Sequence, residues 1–257
     1  MQLLDLQFHH ACLSVLGLQE GRALTLGRKD GVHSIMLCAT GDGDQAGVQI
    51  WLAQDAQASL RAWNVADARL MWAAVAFPNG AAAIFSSAHA PTEASDDTTI
   101  SSYFDKTQTL IHKVRANHAT FEVIIFVDGN ARLGSVPSQY VGNREVAVAN
   151  MDGFVLRSVL EMNELFAVNT FYNAGPTWRH GSSGNQYRID YSLSTRTARQ
   201  GVSDFRVRRD LDLTFAGWID HYLVSATVLL FPHPDTPQQP KKPKSPNICK
   251  WCMADPC

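Results

Sequence analysis

The run Phe121–Val127 is almost continuously apolar and rich in β-branched residues, and it stops on Asp128-Gly129-Asn130. A strand of that kind is covered on both faces, so it belongs in the interior of a sheet. Its polar stop then sits on the sheet rim, where loops and ligands meet. Three more acidic stops border apolar runs: Gln19-Glu20 after Ser14–Leu18, Arg188-Ile189-Asp190-Tyr191, and Asp220-His221 ahead of Leu223–Leu230. Carboxylates gathered on one rim repel each other unless a cation lies among them. The pattern implies a magnesium-dependent site that acts on phosphate.

A chain of 257 residues that is 46% hydrophobic can fill the core of one large domain. The net charge of −2 gives no global basic field to draw it onto nucleic acid. Phosphate affinity must come from a local patch or a bound metal. Apolar runs end after about eight or nine residues, well short of the ~20 of a membrane span, so no membrane partner is expected. The stretch Met1–Leu18 lacks Lys and Arg and does not read as a secretory signal. Five cysteines, an odd number, argue for a reducing compartment, hence an intracellular protein, nuclear or cytoplasmic.

Coarse periodicity sets the order of elements. Gln2–His10 has helical character, and Ser14–Glu20 follows as a short strand. The apolar clusters Ser34–Cys38 and Val48–Leu52 read as paired strands. Leu70–Phe77 and Ala81–Ala88 flank Pro78-Asn79-Gly80, a hairpin signal. In Asp96–Ala116, residues Ile100, Tyr103, Phe104, Thr107, Leu110, Ile111 and Val114 recur three and four apart, which predicts a helix. A loop over Ala131–Ala149 leads to a helix near Phe154–Asn163 and a strand over Phe166–Thr170. The last strands are expected at Tyr187–Ser194, Asp204–Arg208 and Tyr222–Leu230. Residues 1–230 form the compact domain. Residues 231–257, with six prolines and three lysines up to Pro246, read as a disordered, solvated tail. Its Cys249-x-x-Cys252 and Cys257 resemble half of a zinc knuckle, one ligand short of a closed site.

Each stop has a chemical reading and a plain one. Asp128 and Asn130 lie two apart, so on a strand they share a face; one can orient a water while the other donates to a phosphate oxygen. Asp-Gly-Asn can also simply turn the chain. His221 can shuttle a proton or stabilise charge, and Asp190 can fix its tautomer; Asp190 can equally pair with Arg188 or Arg206. Magnesium takes one or two carboxylates and keeps several waters, so Glu20 and Asp220 suffice as its protein ligands. Trp178 and Tyr187 can stack on a base or pack as half-buried aromatics.

Gly-Leu-Gln-Glu20, Ser-Ala-His-Ala-Pro-Thr92, Phe-Val-Asp-Gly-Asn-Ala-Arg-Leu-Gly134, Thr177-Trp178, Arg-Ile-Asp-Tyr191 and Asp220-His221 follow one another in an order that resembles the endonuclease/exonuclease/phosphatase superfamily. The similarity is nearest to the endonuclease domains of LINE-type retrotransposons, relatives of apurinic/apyrimidinic endonucleases, and covers about Leu13 to Leu230. It implies an α/β fold: a four-layered sandwich of two packed, mainly antiparallel sheets with outer helices. It also implies Mg²⁺-dependent, or Mn²⁺-dependent, phosphodiester hydrolysis. Glu20 and Asp220 would hold the metal, Asp128 would align the attacking water, and Asn130 would bind the scissile phosphate. Asp190 would orient His221, which stabilises the charged phosphorus centre. His89 stands where the family often has Tyr, and an imidazole can donate to a phosphate oxygen as a phenol does. Trp178, Arg179 and Arg188 complete the expected substrate contacts.

The family opens with a strand carrying an Asn of the metal site, and Met1 falls after it. A central strand and one ligand are therefore expected to be missing. The implied substrate is DNA, or alternatively RNA or another phosphodiester. Two other readings stand beside the retrotransposon-type DNA endonuclease: a phosphatase or phosphodiesterase on a small or lipid-linked phosphate, and an inactive remnant that keeps the fold.

Overall fold

The computed structural model describes residues 9, 13–19, 26–39, 47–57, 59–144, 147–210, 220–233 and 248–254. The expected Gln2–His10 helix therefore lies almost wholly outside the described residues. In chain order come β1 (Val15–Leu18), β2 (Gly27–Asp30), β3 (Ser34–Cys38) and β4 (Gln49–Ala53). Then follow β5 (Leu60–Asp67), β6 (Leu70–Ala76), β7 (Ala82–His89), α1 (Asp97–Asn117), β8 (Glu122–Asp128) and α2 (Met151–Met162). The remainder are β9 (Phe166–Ala167), β10 (Trp178–Arg179), β11 (Gln186–Tyr187), β12 (Asp190–Ser194), α3 (Arg196–Gln200), β13 (Val202–Arg208), β14 (Leu223–Leu229) and β15 (Ile248–Ala254). One sheet has the order β13-β14-β15-β1-β4-β3-β2, the other β5-β6-β7-β8-β12-β9, and β10-β11 form a separate two-stranded ribbon.

The two large sheets pack face to face with helices outside, the α/β sandwich that the motif order implied. Strand β8 shows how alternation builds the layers. Ile124 and Phe126 join Val15, Ile35, Leu37, Ile50 and Phe85 in the core between the sheets. Val123, Ile125 and Val127 turn the other way, onto Tyr103, Ile111 and Val114 of α1 and Leu156 and Leu160 of α2. Both faces are covered, which is why Val123–Val127 is apolar throughout, between Glu122 and Asp128 at its two ends. Helix α1 begins where Asp96 accepts a hydrogen bond from the Thr99 N–H at 2.9 Å. At the β6–β7 hairpin Gly80 has φ +88°, and the Asn79 side chain accepts from the Ala81 N–H at 3.0 Å.

Three expectations are corrected. Phe166–Thr170 is a strand only over β9, followed by a 3-10 turn at Val168–Phe171. Tyr187–Ser194 is split, because the Thr177 hydroxyl takes the N–H groups of both Ile189 and Asp190 at 3.1 Å. The presumed tail contributes β15, parallel to β1 and antiparallel to β14, and Cys249 and Cys252 fall within it. No gap from a missing first strand is left between β1 and β14. Backbone pairing decides the matter: two strand edges facing each other inside a sheet are satisfied by any segment that can reach them.

The sheets approach so closely at β1 that a Cβ on Gly17 would lie 2.4 Å from Phe126 Cδ2 and 2.7 Å from Phe126 Cβ. Ring rotation cannot move that Cβ, so one sheet must shift. Gly17→Ala is expected to lower the stability measured by urea unfolding by about 1–3 kcal/mol, as overpacking does. Ending the chain after His233 removes β15 and leaves β14 and β1 unpaired on facing edges. That variant is expected to lose a single cooperative unfolding transition and to bind a dye specific for exposed apolar surface.

Candidate active site

Register places three of the expected residues on one level. The parallel β7–β8 pair sets His89 opposite Asp128, and the antiparallel β8–β12 pair sets Asp128 opposite Asp190. All three are buried, at 2%, 2% and 4% exposure. His221 arrives from the other sheet, just ahead of β14, through an isolated bridge to Trp178. The Arg179 N–H donates to the Asp220 carbonyl and the Tyr222 N–H to the Thr177 carbonyl, both at 2.7 Å, so the β10–β11 ribbon pins this segment to the rim.

His221 Nδ1 lies 3.1 and 3.2 Å from the two oxygens of Asp190. A carboxylate only accepts, so Nδ1 carries the proton and Nε2 faces away from Asp190. Asp190 is held in turn: its N–H goes to Thr177 Oγ1, and its carbonyl accepts from Asn169 Nδ2 at 2.8 Å. Asp128, Asp190 and His221 each offer an atom within 4.8 Å of the others. Two buried carboxylates that close need positive charge between them. Their oxygens suit a hard divalent ion such as Mg²⁺ or Mn²⁺.

Asn130 sits in the left-handed region at φ +44°, with its N–H on Asp128 Oδ1 and its Nδ2 donating to the Ala90 carbonyl at 2.9 Å. The turn thus ties β8 to the end of β7 and leaves the second Nδ2 hydrogen for a ligand. Turning the chain and binding are the same geometry here. The aromatic wall is continuous: Trp178 stacks on Tyr187 at 6.1 Å and meets His221 at 6.3 Å, and the Arg132 guanidinium covers Tyr187 at 4.9 Å.

Other expectations separate from this cluster. Glu20 lies outside the described residues. Its neighbour Gln19 is buried, donating to Ser87 Oγ at 3.2 Å and to the Phe126 carbonyl at 3.4 Å, so β1 does end on the same rim. Asp220 turns one oxygen onto the His221 N–H at 3.1 Å and stands beside the three-residue group, not within it. Arg179 is exposed. Arg188 is only 4% exposed and donates to the carbonyls of Gly175 and Arg144, so it braces the loop instead of facing substrate. Thr177, Asn169 and Arg69 were not read from the sequence as site residues. Thr177 stands in a motif noticed for its tryptophan, and Arg69 is a turn arginine with no motif around it.

His89 Nε2 lies 3.6 Å from Asp128 Oδ2, and Arg69 Nη1 lies 3.4 Å from His89 Nδ1. Burial, then Arg69 and His221, hold the His89 imidazole at about 3, against an ordinary 6.5, so it is neutral near pH 7. Between pH 6.5 and about 3 the unfolded chain binds a proton that the native state refuses, so stability falls as pH falls through that window. The expected loss at pH 5 relative to pH 7 is about 1–2 kcal/mol from this residue. Urea unfolding of His89→Phe should show a correspondingly flatter dependence between these two pH values.

No protein-family model matches the chain, and no curated protein matches it in sequence. Solved structures do. The endonuclease domain of TRAS1, a telomere-specific non-LTR retrotransposon, superposes with TM-score 0.60 at 18% identity, over 85% of this chain and 87% of that one. The AP endonuclease LMAP from Leishmania major gives 0.63 at 13% identity, over 85% and 79%. The 3′ phosphatase NExo from Neisseria, bound to a product DNA hairpin, gives 0.53 at 15%, over 75% and 79%. At these identities the likeness is one of fold alone: the chain shares the α/β sandwich of these endonuclease and phosphatase structures.

Proposed function

We propose that this chain is a divalent-metal-dependent phosphodiesterase that cuts DNA, an endonuclease of retrotransposon type. The observation that carries the reading is the meeting of Asp128, Asp190 and His221 from two different sheets within 4.8 Å. A fold held together for packing alone has no reason to bury two carboxylates and an imidazole on one rim, at the cost of their hydration.

The chain's own groups divide the work. Asp128 aligns the attacking water and takes its proton. His221, held by Asp190 through Nδ1, faces the phosphorus centre with Nε2, and a proton taken up on Nε2 would let the imidazolium offset charge as it develops there. Asn130 and His89 supply hydrogen-bond donors to the phosphate oxygens. The carboxylate of Asp220 and the buried oxygens of Asp128 would hold Mg²⁺ or Mn²⁺, with Glu20 the further ligand that its motif implies. When bound, the ion supplies Lewis-acid stabilisation of the phosphoryl oxygens and the leaving group. Trp178 and Tyr187 form a flat wall on which a base or a sugar gap packs. Arg132 and Arg179 give the local positive charge that a net charge of −2 does not.

Nicking of supercoiled plasmid is expected to require Mg²⁺ or Mn²⁺ and to stop with EDTA. Asp128→Ala and His221→Ala should each lower the nicking rate by about 10²–10⁴-fold, the usual worth of a positioned acid–base group, with the circular-dichroism spectrum unchanged. Release of inorganic phosphate from a 3′-phosphorylated oligonucleotide or an inositol phosphate, without plasmid nicking, would replace the endonuclease reading by the phosphatase one. No turnover of any of these substrates by the folded chain would leave an inactive remnant.

A further inference from the structure

We infer that Arg69 is a positioning residue that locks His89 in the tautomer with its proton on Nε2, so that His89 presents a fixed N–H donor to the site. The inference rests on the phosphodiesterase reading for its purpose, but not for its geometry.

The argument starts from what each group can do. A guanidinium carries five N–H donors and no acceptor, and it stays charged. Arg69 Nη1 faces His89 Nδ1 at 3.4 Å and the His89 carbonyl at 3.5 Å. A protonated Nδ1 would set N–H against N–H there, so Nδ1 is the bare, accepting nitrogen. In a neutral ring the proton must then sit on Nε2. That nitrogen points to the opposite side, toward Asp128 Oδ2 at 3.6 Å. His89 is 2% exposed, so bulk water does not compete with Arg69 for Nδ1.

The placement of Arg69 is itself fixed. It stands in the two-residue turn between β5 and β6, where its N–H donates to Asp67 Oδ1 at 2.9 Å. The His89 N–H donates back to the Arg69 carbonyl at 2.9 Å, so backbone and side chain hold the pair from both directions. The result mirrors His221. Asp190, an acceptor, puts the proton of His221 on Nδ1; Arg69, a donor, puts the proton of His89 on Nε2. One imidazole is set to present a bare nitrogen and the other an N–H. A phenol at the His89 position donates its O–H without such help; an imidazole donates the right proton only if its other nitrogen is occupied. The low proton affinity of His89, set first by burial and then by Arg69, agrees with this arrangement.

The test reads the tautomer directly. Imidazole ¹⁵N–¹H correlation spectra of the full chain with ¹⁵N-labelled histidine, assigned with His89→Gln, are expected to show His89 protonated at Nε2 and bare at Nδ1. In Arg69→Met, with amide dispersion intact, the same resonances should move to a mixture of tautomers. The nicking rate should fall roughly tenfold in kcat with KM changed less than twofold, and Arg69→Lys should restore both readouts in part. In His89→Tyr, adding Arg69→Met should cost less than twofold. A wild-type His89 protonated at Nδ1, or a tautomer unchanged in Arg69→Met, overturns the inference. The expected spectra in a chain that cleaves nothing uphold the Arg69–His89 pair and remove the reaction proposed above.

Discussion

Ladder register across β7, β8 and β12 is the constraint on which the site depends. His89, Asp128 and Asp190 are level because β8 pairs in parallel with β7 and antiparallel with β12. A slip of one residue in β8 would turn Asp128 to the other face and carry the apolar set with it. Phe126 would then leave the core between the sheets, where it stacks on Phe85 at 6.1 Å. The core therefore enforces the register that the chemistry uses. Gly17 adds the third dimension: its missing side chain lets β1 lie against Phe126, which brings the end of β1 to the same rim.

The electrostatics follow from that convergence. Asp128 and Asp190 lose nearly all contact with water, and each is given a distinct neighbour. Asp190 takes the imidazole of His221 and hydrogen bonds that fix its backbone. Asp128 takes the Asn130 N–H and faces His89. His89 cannot serve Asp128 as a permanent counter-charge, because burial and Arg69 keep it neutral. The close approach of two buried carboxylates is the physical argument for a cation beside them, and it is independent of any resemblance. Arg188 shows the reverse case: it is buried and donates to the carbonyls of Gly175 and Arg144, so an arginine two residues before Asp190 braces the loop.

Much of this was legible because local signals and tertiary roles coincide. The β8 run, the Asn-Gly hairpin and the α1 periodicity each carry their own period, and Asp128, Asn130, Asp190 and His221 stand at ends of apolar runs. The pairing of Asp190 with His221 could be argued from chemical type alone. What escaped lacks a local signature. Thr177 interrupts a strand by accepting two N–H groups from residues 12 and 13 positions away. Arg69 reads as a solvated turn charge until β7 folds beside it. Arg188 reads as a substrate contact because an arginine beside a strand has no burial written into its neighbours. Strand β15 was hidden by the proline-rich stretch before it, and Cys249 and Cys252 drew attention to metal binding instead of to pairing. Glu20, a metal candidate only through the joint order of the motifs, lies outside the described residues.

Strand β15 also changes what the site rests on. Strand β14, which follows His221, has only two ladder neighbours, the edge strand β13 and β15. Without β15 the β13–β14 pair would keep no ladder link to β1, and would be held by sheet-to-sheet packing, the β10–β11 ribbon and bonds such as Asn79 Nδ2 to the Leu230 carbonyl at 3.4 Å. That ribbon is bonded to Asp220 and Tyr222 on both sides of His221. The imidazole is therefore fixed locally by the ribbon and by Asp190, while β15 fixes the sheet as a whole. Two supports of different reach imply two kinds of failure: loss of the ribbon contacts frees the imidazole within an intact fold, whereas loss of β15 divides the sheet that carries it. Closing a sheet with a segment from the far end of the chain costs loop entropy that local hairpins avoid. The central pairing of the seven-stranded sheet is then expected among the last contacts to form, with the half of the site that approaches from that sheet completed alongside it.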